Sequence, residues 1–187
     1  MLSEGAERGY SNVSFNASGD RLVSVSTAPD FILTVWDWEQ ARTILHAKAF
    51  GQDVFSAKFS LEDDGRLTTC GVGHIRFWKM ASTFTGQKLQ GLIGKFGKVE
   101  LSDVAAFVEF PDGKVLSGTE SGAILLWEGN FIKCRFVLGG GALCHRGEVN
   151  YLALDRMEHV VISAGIDGRC NIHYELISII ISLKFFT

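Results

Sequence analysis

Proline is scarce in this sequence, with two residues in 187, whereas glycine occurs 21 times. The chain is 47% apolar and 21% charged, which is the balance of a packed globular domain rather than a disordered segment. Valine, isoleucine and phenylalanine occur in short runs between glycine-containing turns. These features predict an all-β chain of many short strands.

Pairs of cysteines at metal-binding spacing are also missing. The four cysteines, Cys70, Cys134, Cys144 and Cys170, form no C-x-x-C pair and lie mostly in strand-like runs. This usage is typical of reduced, buried thiols in the cytosol. We therefore expect no metal and no cofactor.

The sequence has no dense basic stripe, no secretory leader and no long apolar segment. The net charge is −3 and the basic residues are scattered singly, so nucleic acid is not an expected partner. The start, "MLSEGAERGYSN", lacks the basic and apolar regions of a signal peptide. The apolar run Leu176–Phe186 is shorter than the ~20 residues that cross a bilayer, so no membrane partner is predicted either.

An internal repeat organises the chain. Aromatic residues close four apolar alternations at Trp36, Trp78, Trp127 and Tyr174, with spacings of 42, 49 and 47 residues. Each is preceded by two strand-like runs separated by a polar turn, and a fourth run follows in at least the first and third units. Four strands at this period predict the blades of a β-propeller, over residues 10–46, 47–94, 95–141 and 142–174, after an N-terminal extension of residues 1–9.

The fourth unit resembles the WD-repeat family through "HRGEV" and "ISAGIDGRCNIHY". The resemblance implies a hydrogen-bonded structural set of His145, Ser163, Asp167 and Tyr174. In the first unit it implies Ser26 and Asp30 beside Trp36, whereas Val72 and Ser121 replace the aspartate in the second and third. Since WD-type rings usually have about seven blades, four units predict an open or partial ring.

The links between the units carry a narrower resemblance, from about Gly19 to Tyr174. The segments "GHIRFWKMASTFTG" and "GKFGKVELSD" are similar to the N-terminal propeller of a cilia- and flagella-associated WD-repeat family of the motile axoneme. This resemblance implies a scaffold in the tether and tether-head complex that holds an inner-arm dynein against the doublet microtubule and so affects ciliary beating. Its implied partners are tether-head and dynein components, and its implied location is the axoneme within the cytoplasmic cytoskeleton.

Residues 175–187 depart from that family's polar, acidic continuation. We interpret them as a gene-model artefact left by truncation or mis-splicing, or alternatively as the outer strand of the fourth blade. A run this rich in isoleucine would promote aggregation if exposed.

Three further hypotheses compete with an axonemal scaffold. A His–Ser–Asp hydrolase is disfavoured, because the spacing is that of a blade and no G-x-S-x-G elbow occurs. A propeller enzyme would need acidic or metal-binding residues converging at the central channel, and no such set repeats. A cytoplasmic adaptor in ubiquitin ligation, trafficking or microtubule binding remains the main alternative. In any scaffold reading, Trp38 is predicted to be an exposed aromatic that contacts a partner.

Overall fold

A computed structural model describes Leu2 and residues 6–158 and 160–174. These residues form fifteen β-strands and one short 3₁₀-helix, Gly139–Gly141, with no α-helix in the described part. No helix within those ranges has the length and apolarity needed to span a bilayer. The all-β prediction is confirmed. The extension of residues 1–9 is described only in part, and residues 175–187 lie outside the described residues.

The first sheet is an antiparallel meander of four strands. Its strands, hydrogen-bonded in chain order, are β1 (Tyr10–Phe15), β2 (Arg21–Ser26), β3 (Ile32–Asp37) and β4 (Arg42–Lys48). The turn between β1 and β2 is closed by Asn16, whose Oδ1 accepts a bond from the Arg21 N–H at 2.9 Å and whose Nδ2 donates to Asp20 at 2.7 Å. Side chains of this type favour such turns because they bond to nearby backbone.

The second sheet repeats this order but has a longer outer hairpin. Its strands are β5 (Val54–Phe59), β6 (Arg66–Gly71), β7 (His74–Thr83) and β8 (Gly86–Ile93). The sequence predicted that the third strand ends at Trp78, but β7 continues to Thr83 and pairs with β8 over its length. The cross-strand pair of Met80 and Leu89 stabilises the added length of β7 and β8, because both side chains pack against the core.

Residues 1–104 and 129–132 make the first of two compact units. Its core lies between the first and second sheets, because alternate side chains of each strand point to the same face. The buried residues are Val23, Val25, Leu33 and Val35 from the first sheet, Ala49, and Val54, Ala57, Phe59, Leu67 and Trp78 from the second.

Residues 105–128 and the described residues between 133 and 174 make the second unit, which holds most of the third sheet and all of the described fourth sheet. The third sheet contains β9 (Val104–Glu109), β10 (Val115–Thr119), β11 (Ile124–Glu128) and β12 (Phe131–Phe136). The described strands of the fourth sheet are β13 (Val149–Asp155), β14 (Val160–Gly165) and β15 (Cys170–His173). The core includes Phe110, Leu116, Ile124 and Leu126 with Val149, Leu152 and Val161.

Candidate functional site

One hydrogen-bonded pair recurs in all four sheets: a hydroxyl on the second strand and a ring N–H on the third. The ring residue always lies two positions beyond the residue that faces the hydroxyl across the sheet. The tryptophan pairs are Trp36 with Ser24 at 2.8 Å, Trp78 with Thr69 at 3.0 Å and Trp127 with Ser117 at 2.8 Å. All three indoles are buried, so an indole N–H left without its acceptor would lower the stability of the fold.

The first sheet corrects part of the predicted set. Ser24, not Ser26, receives the Trp36 indole, because Ser24 faces Thr34 in the register. The Ser26 Oγ instead accepts the Ile32 N–H at 2.7 Å, and the Asp30 carboxylate accepts the Glu7 N–H at 3.2 Å. The run "RLVSVS" contains two serines that point to one face, and only the register chooses between them.

In the fourth sheet, the structure brings together His145, Ser163 and Asp167, the residues that the family resemblance implied. His145 Nδ1 is 3.0 Å from the Asp167 carboxylate and its Nε2 is 2.7 Å from the Ser163 Oγ. Asp167 also accepts the backbone N–H of Arg146 at 3.0 Å. The imidazole packs against Gly165, where an added Cβ would lie 2.7 Å from Nδ1. The set therefore ties the segment before β13 to the turn between β14 and β15.

The aromatic predicted for this set, Tyr174, is wrong by one residue. Tyr174 follows the end of β15 and is 69% exposed, whereas His173 occupies the register position of the three tryptophans. His173 Nε2 lies 2.8 Å from the Ser163 Oγ. An aromatic at the end of an alternation was a weaker signal than counting from the hydroxyl, which would have identified His173.

The partners fix which atoms carry protons in this set. The Asn171 Nδ2 donates to the Cys144 carbonyl at 2.8 Å and also faces His145 Nε2 at 3.3 Å, so that nitrogen is an acceptor. His145 then carries its proton on Nδ1, toward Asp167. Ser163 donates to His145 and accepts from His173, which replaces a tryptophan N–H with a titratable donor.

The pKa values of Asp167 and His173 are both lower than usual. The Arg146 backbone N–H, followed by His145, lowers the pKa of Asp167 to about 2. Burial, followed by the electrostatic effect of His145, lowers the pKa of His173. Asp167 is thus a permanent anion at neutral pH, and His173 is a neutral donor.

This geometry favours a structural role over catalysis. Ser163 is completely buried, so its hydroxyl cannot meet a substrate. That hydroxyl is already hydrogen-bonded to both His145 and His173. Among the described residues no three metal-ligating side chains converge. What the set does is hold the loop that enters the fourth sheet.

Trp38 lies elsewhere, on the turn between β3 and β4. Its side chain is 40% exposed, its Nε1 donates to the Gly19 carbonyl at 2.8 Å, and its ring meets Phe15 edge-on at 5.9 Å. Phe15 is itself 57% exposed. The two rings form a fixed apolar surface, and partner contact at Trp38 stays a prediction.

Acid should weaken the fold near neutral pH, because two histidines resist protonation in the native chain. Burial is the first cause of the lowered pKa of both His74 and His173. The unfolded chain binds these protons more readily, so stability is complete above the unfolded value of 6.5 and falls as the pH drops below it.

We expect the urea midpoint to fall between about pH 7.5 and about pH 5.5 and the His173→Trp variant to show a smaller fall. His74 contributes to the loss that remains in the variant. Asp167 does not contribute in this window, because its pKa lies far lower. If the urea midpoint fell by the same amount between these two pH values in both proteins, the assignment to His173 would be contradicted.

The fold and the repeated hydroxyl–ring pairs define a WD40-type β-propeller protein, as predicted. Supporting this, the Cps50 (Swd1) β-propeller domain of Myceliophteria thermophila is similar in structure, with a TM-score of 0.71 and 12% identity over 87% of this chain and 50% of that one. No protein-family model matches the chain.

The sequence is similar to cilia- and flagella-associated protein 44 of Chlamydomonas reinhardtii, with 59% identity over 157 residues, which are 83% of this chain and 9% of the relative. It is also 30% identical over 166 residues to rat echinoderm microtubule-associated protein-like 1, covering 87% of this chain and 20% of that protein. The predicted resemblance to a cilia- and flagella-associated protein is confirmed. The chain spans about a tenth of the length of the algal relative and a fifth of the rat one.

Proposed function

We propose that this chain is a non-catalytic protein-binding scaffold of the motile axoneme, where it helps to tether inner-arm dynein to the doublet microtubule. The observation that carries the proposal is the 59% identity to a cilia- and flagella-associated protein across most of the chain. The buried set around Ser163 supports the scaffold role, because its polar groups form the hydrogen bonds that hold a loop in place.

Partner contact is proposed for the surface of Trp38 and Phe15. The Trp38 side chain is held by its hydrogen bond to the Gly19 carbonyl, so it loses little conformational freedom on binding, and tryptophan is often an interface anchor. Substitution Trp38→Ala would remove this anchor while leaving the blade cores intact.

The test replaces the matching 157-residue segment of the algal relative with this chain, in cells that lack the relative. A scaffold of the proposed kind retains the chimera in isolated axonemes and restores inner-arm dynein. The Trp38→Ala chimera is expected to fold but to retain less dynein, and Phe131→Ala, an exposed aromatic elsewhere, serves as its control. Retention of the chimera in the cell body alone would contradict the proposal.

Microtubule binding by a cytoplasmic adaptor is the second candidate, and similarity to a microtubule-associated protein favours it. Co-sedimentation of the purified chain with microtubules tests it directly. Binding together with exclusion of the chimera from axonemes would favour this second function.

A further inference from the structure

The outer hairpin of the second sheet extends past the point where the other third strands end. We define it as residues 79–93, which follow the buried Trp78 and include the rest of β7, its turn and β8. β7 is 10 residues long, against 6, 5 and 4 for the third strands of the other sheets. The repeated hydroxyl–ring pair needs none of this added length.

Three large apolar side chains are exposed on this hairpin. Phe84, at the tip, is fully exposed, and Leu92 and Ile93 are 62% and 42% exposed. The tip is held in shape, because the Thr83 hydroxyl donates to the Gly86 carbonyl at 2.6 Å. Phe84 lies at the tip and Leu92 and Ile93 at the far end of β8, so the exposed apolar side chains mark the two ends of the hairpin.

Positive charge predominates around the hairpin, although the Asp63 carboxylate lies near Lys79, whose charge is one cause of the lowered pKa of Asp63. Residues 65–99 contain six Lys or Arg residues and no Asp or Glu, within a chain of net charge −3. Lys79 faces Gln90 and Lys88 faces Ala81, while Leu92 faces Phe77, so all these pairs share one face of the hairpin. Both lysines are exposed, and neither forms an ion pair with a carboxylate in the described part of the chain.

Lysines on an outer strand often serve only to prevent edge-to-edge aggregation. That explanation does not account for Phe84 and Leu92, because exposed apolar groups on an edge raise the same hazard. A binding surface accounts for both, with the lysines giving charge selectivity and the apolar groups giving contact area.

We propose that the outer hairpin binds an acidic polypeptide segment that carries an aromatic or aliphatic residue. The segment lies along β8, which pairs only with β7 among the described strands. The carbonyls of Ile93 and Gly91 already accept hydrogen bonds from Asn130 and Arg76, so the main-chain groups available to the segment lie nearer the tip. Its carboxylates meet Lys79 and Lys88, and its apolar residue meets Phe84 or Leu92. Nucleic acid fits less well, because two exposed cations release few counterions and the apolar groups would be left uncovered.

The test measures binding of the full chain to three labelled probes by fluorescence anisotropy at about 0.15 M salt. The probes are poly-L-glutamate, a random copolymer of glutamate and tyrosine, and oligo-dT of matched charge. The copolymer should bind most tightly. Phe84→Ser is expected to weaken copolymer binding about tenfold with little effect on polyglutamate, and Lys88→Glu should weaken both by about fivefold.

Two matched variants control for general effects. Met157→Ser removes another exposed apolar side chain and Arg135→Glu reverses another exposed charge, and neither should alter binding. Circular dichroism checks that each variant folds. Absence of saturable copolymer binding, equal binding of oligo-dT, or equal losses in the control variants would overturn the proposal.

Discussion

Replacing Trp127 with alanine is expected to lower the free energy of unfolding by about 3–5 kcal/mol. The Trp127 side chain is completely buried, so its removal leaves a cavity that the surrounding strands cannot close fully. It also removes the indole donor of the Ser117 hydroxyl, which is itself fully buried. Because domains of this size are stable by about 5–15 kcal/mol, this loss is a large part of the total.

Urea denaturation followed by circular dichroism measures the effect of Trp127→Ala. If the alanine variant does not fold, Trp127→Phe keeps most of the ring and loses the N–H, and a smaller loss of about 1–3 kcal/mol is expected. Trp38→Ala is the matched control, and its loss should stay near about 1 kcal/mol because that side chain is partly exposed. Equal losses at Trp127 and Trp38 would show that the buried pair is not a main source of stability.

The repeat was visible in the sequence because a tryptophan that closes an apolar alternation is a local signal. Trp36, Trp78 and Trp127 could be located in this way, and the all-β propeller fold followed from their spacing. His145, Ser163 and Asp167 could also be identified, since the fourth unit carries the fullest match to the family pattern.

What the sequence could not supply was the register between strands. Ser24 and Ser26 point to the same face, and only the pairing of β2 with β3 shows that Ser24 meets Trp36. His173 was missed for a related reason: the adjacent Tyr174 is the more typical aromatic, although it lies beyond the end of β15 and is exposed.

The outer hairpin was hidden by a different limit. Beyond Trp78 the segment "KMASTFTGQKLQ" has polar and small residues with little apolar alternation, so local pattern gave no reason to continue the strand. Its pairing depends on Met80 and Leu89 meeting the core of the first unit, which is a tertiary contact. Tertiary contacts of this kind override the local strand propensity of the sequence.

Gly122→Ala is expected to cost about 2–5 kcal/mol, the second large effect, because strain and overlap act at the same residue. Gly122 has a φ of 89°, which disfavours any side chain. A Cβ there would overlap the His145 carbonyl oxygen and lie 2.9 Å from that of Gly147. Both oxygens are main-chain atoms of the loop that the Ser163 set holds in place. They cannot move without breaking the hydrogen bonds of that loop to Asp167.

A second glycine separates the two causes of this cost. Gly129 also has positive φ, at 60°, but no atom lies within 4 Å of the Cβ that it would acquire. Gly129→Ala should therefore show the backbone strain alone, about 1–2 kcal/mol. The difference between the two urea-derived stabilities measures the close approach of the His145 loop to Gly122. Equal losses would mean that this loop yields readily, and would count against its being held firmly by Ser163 and Asp167.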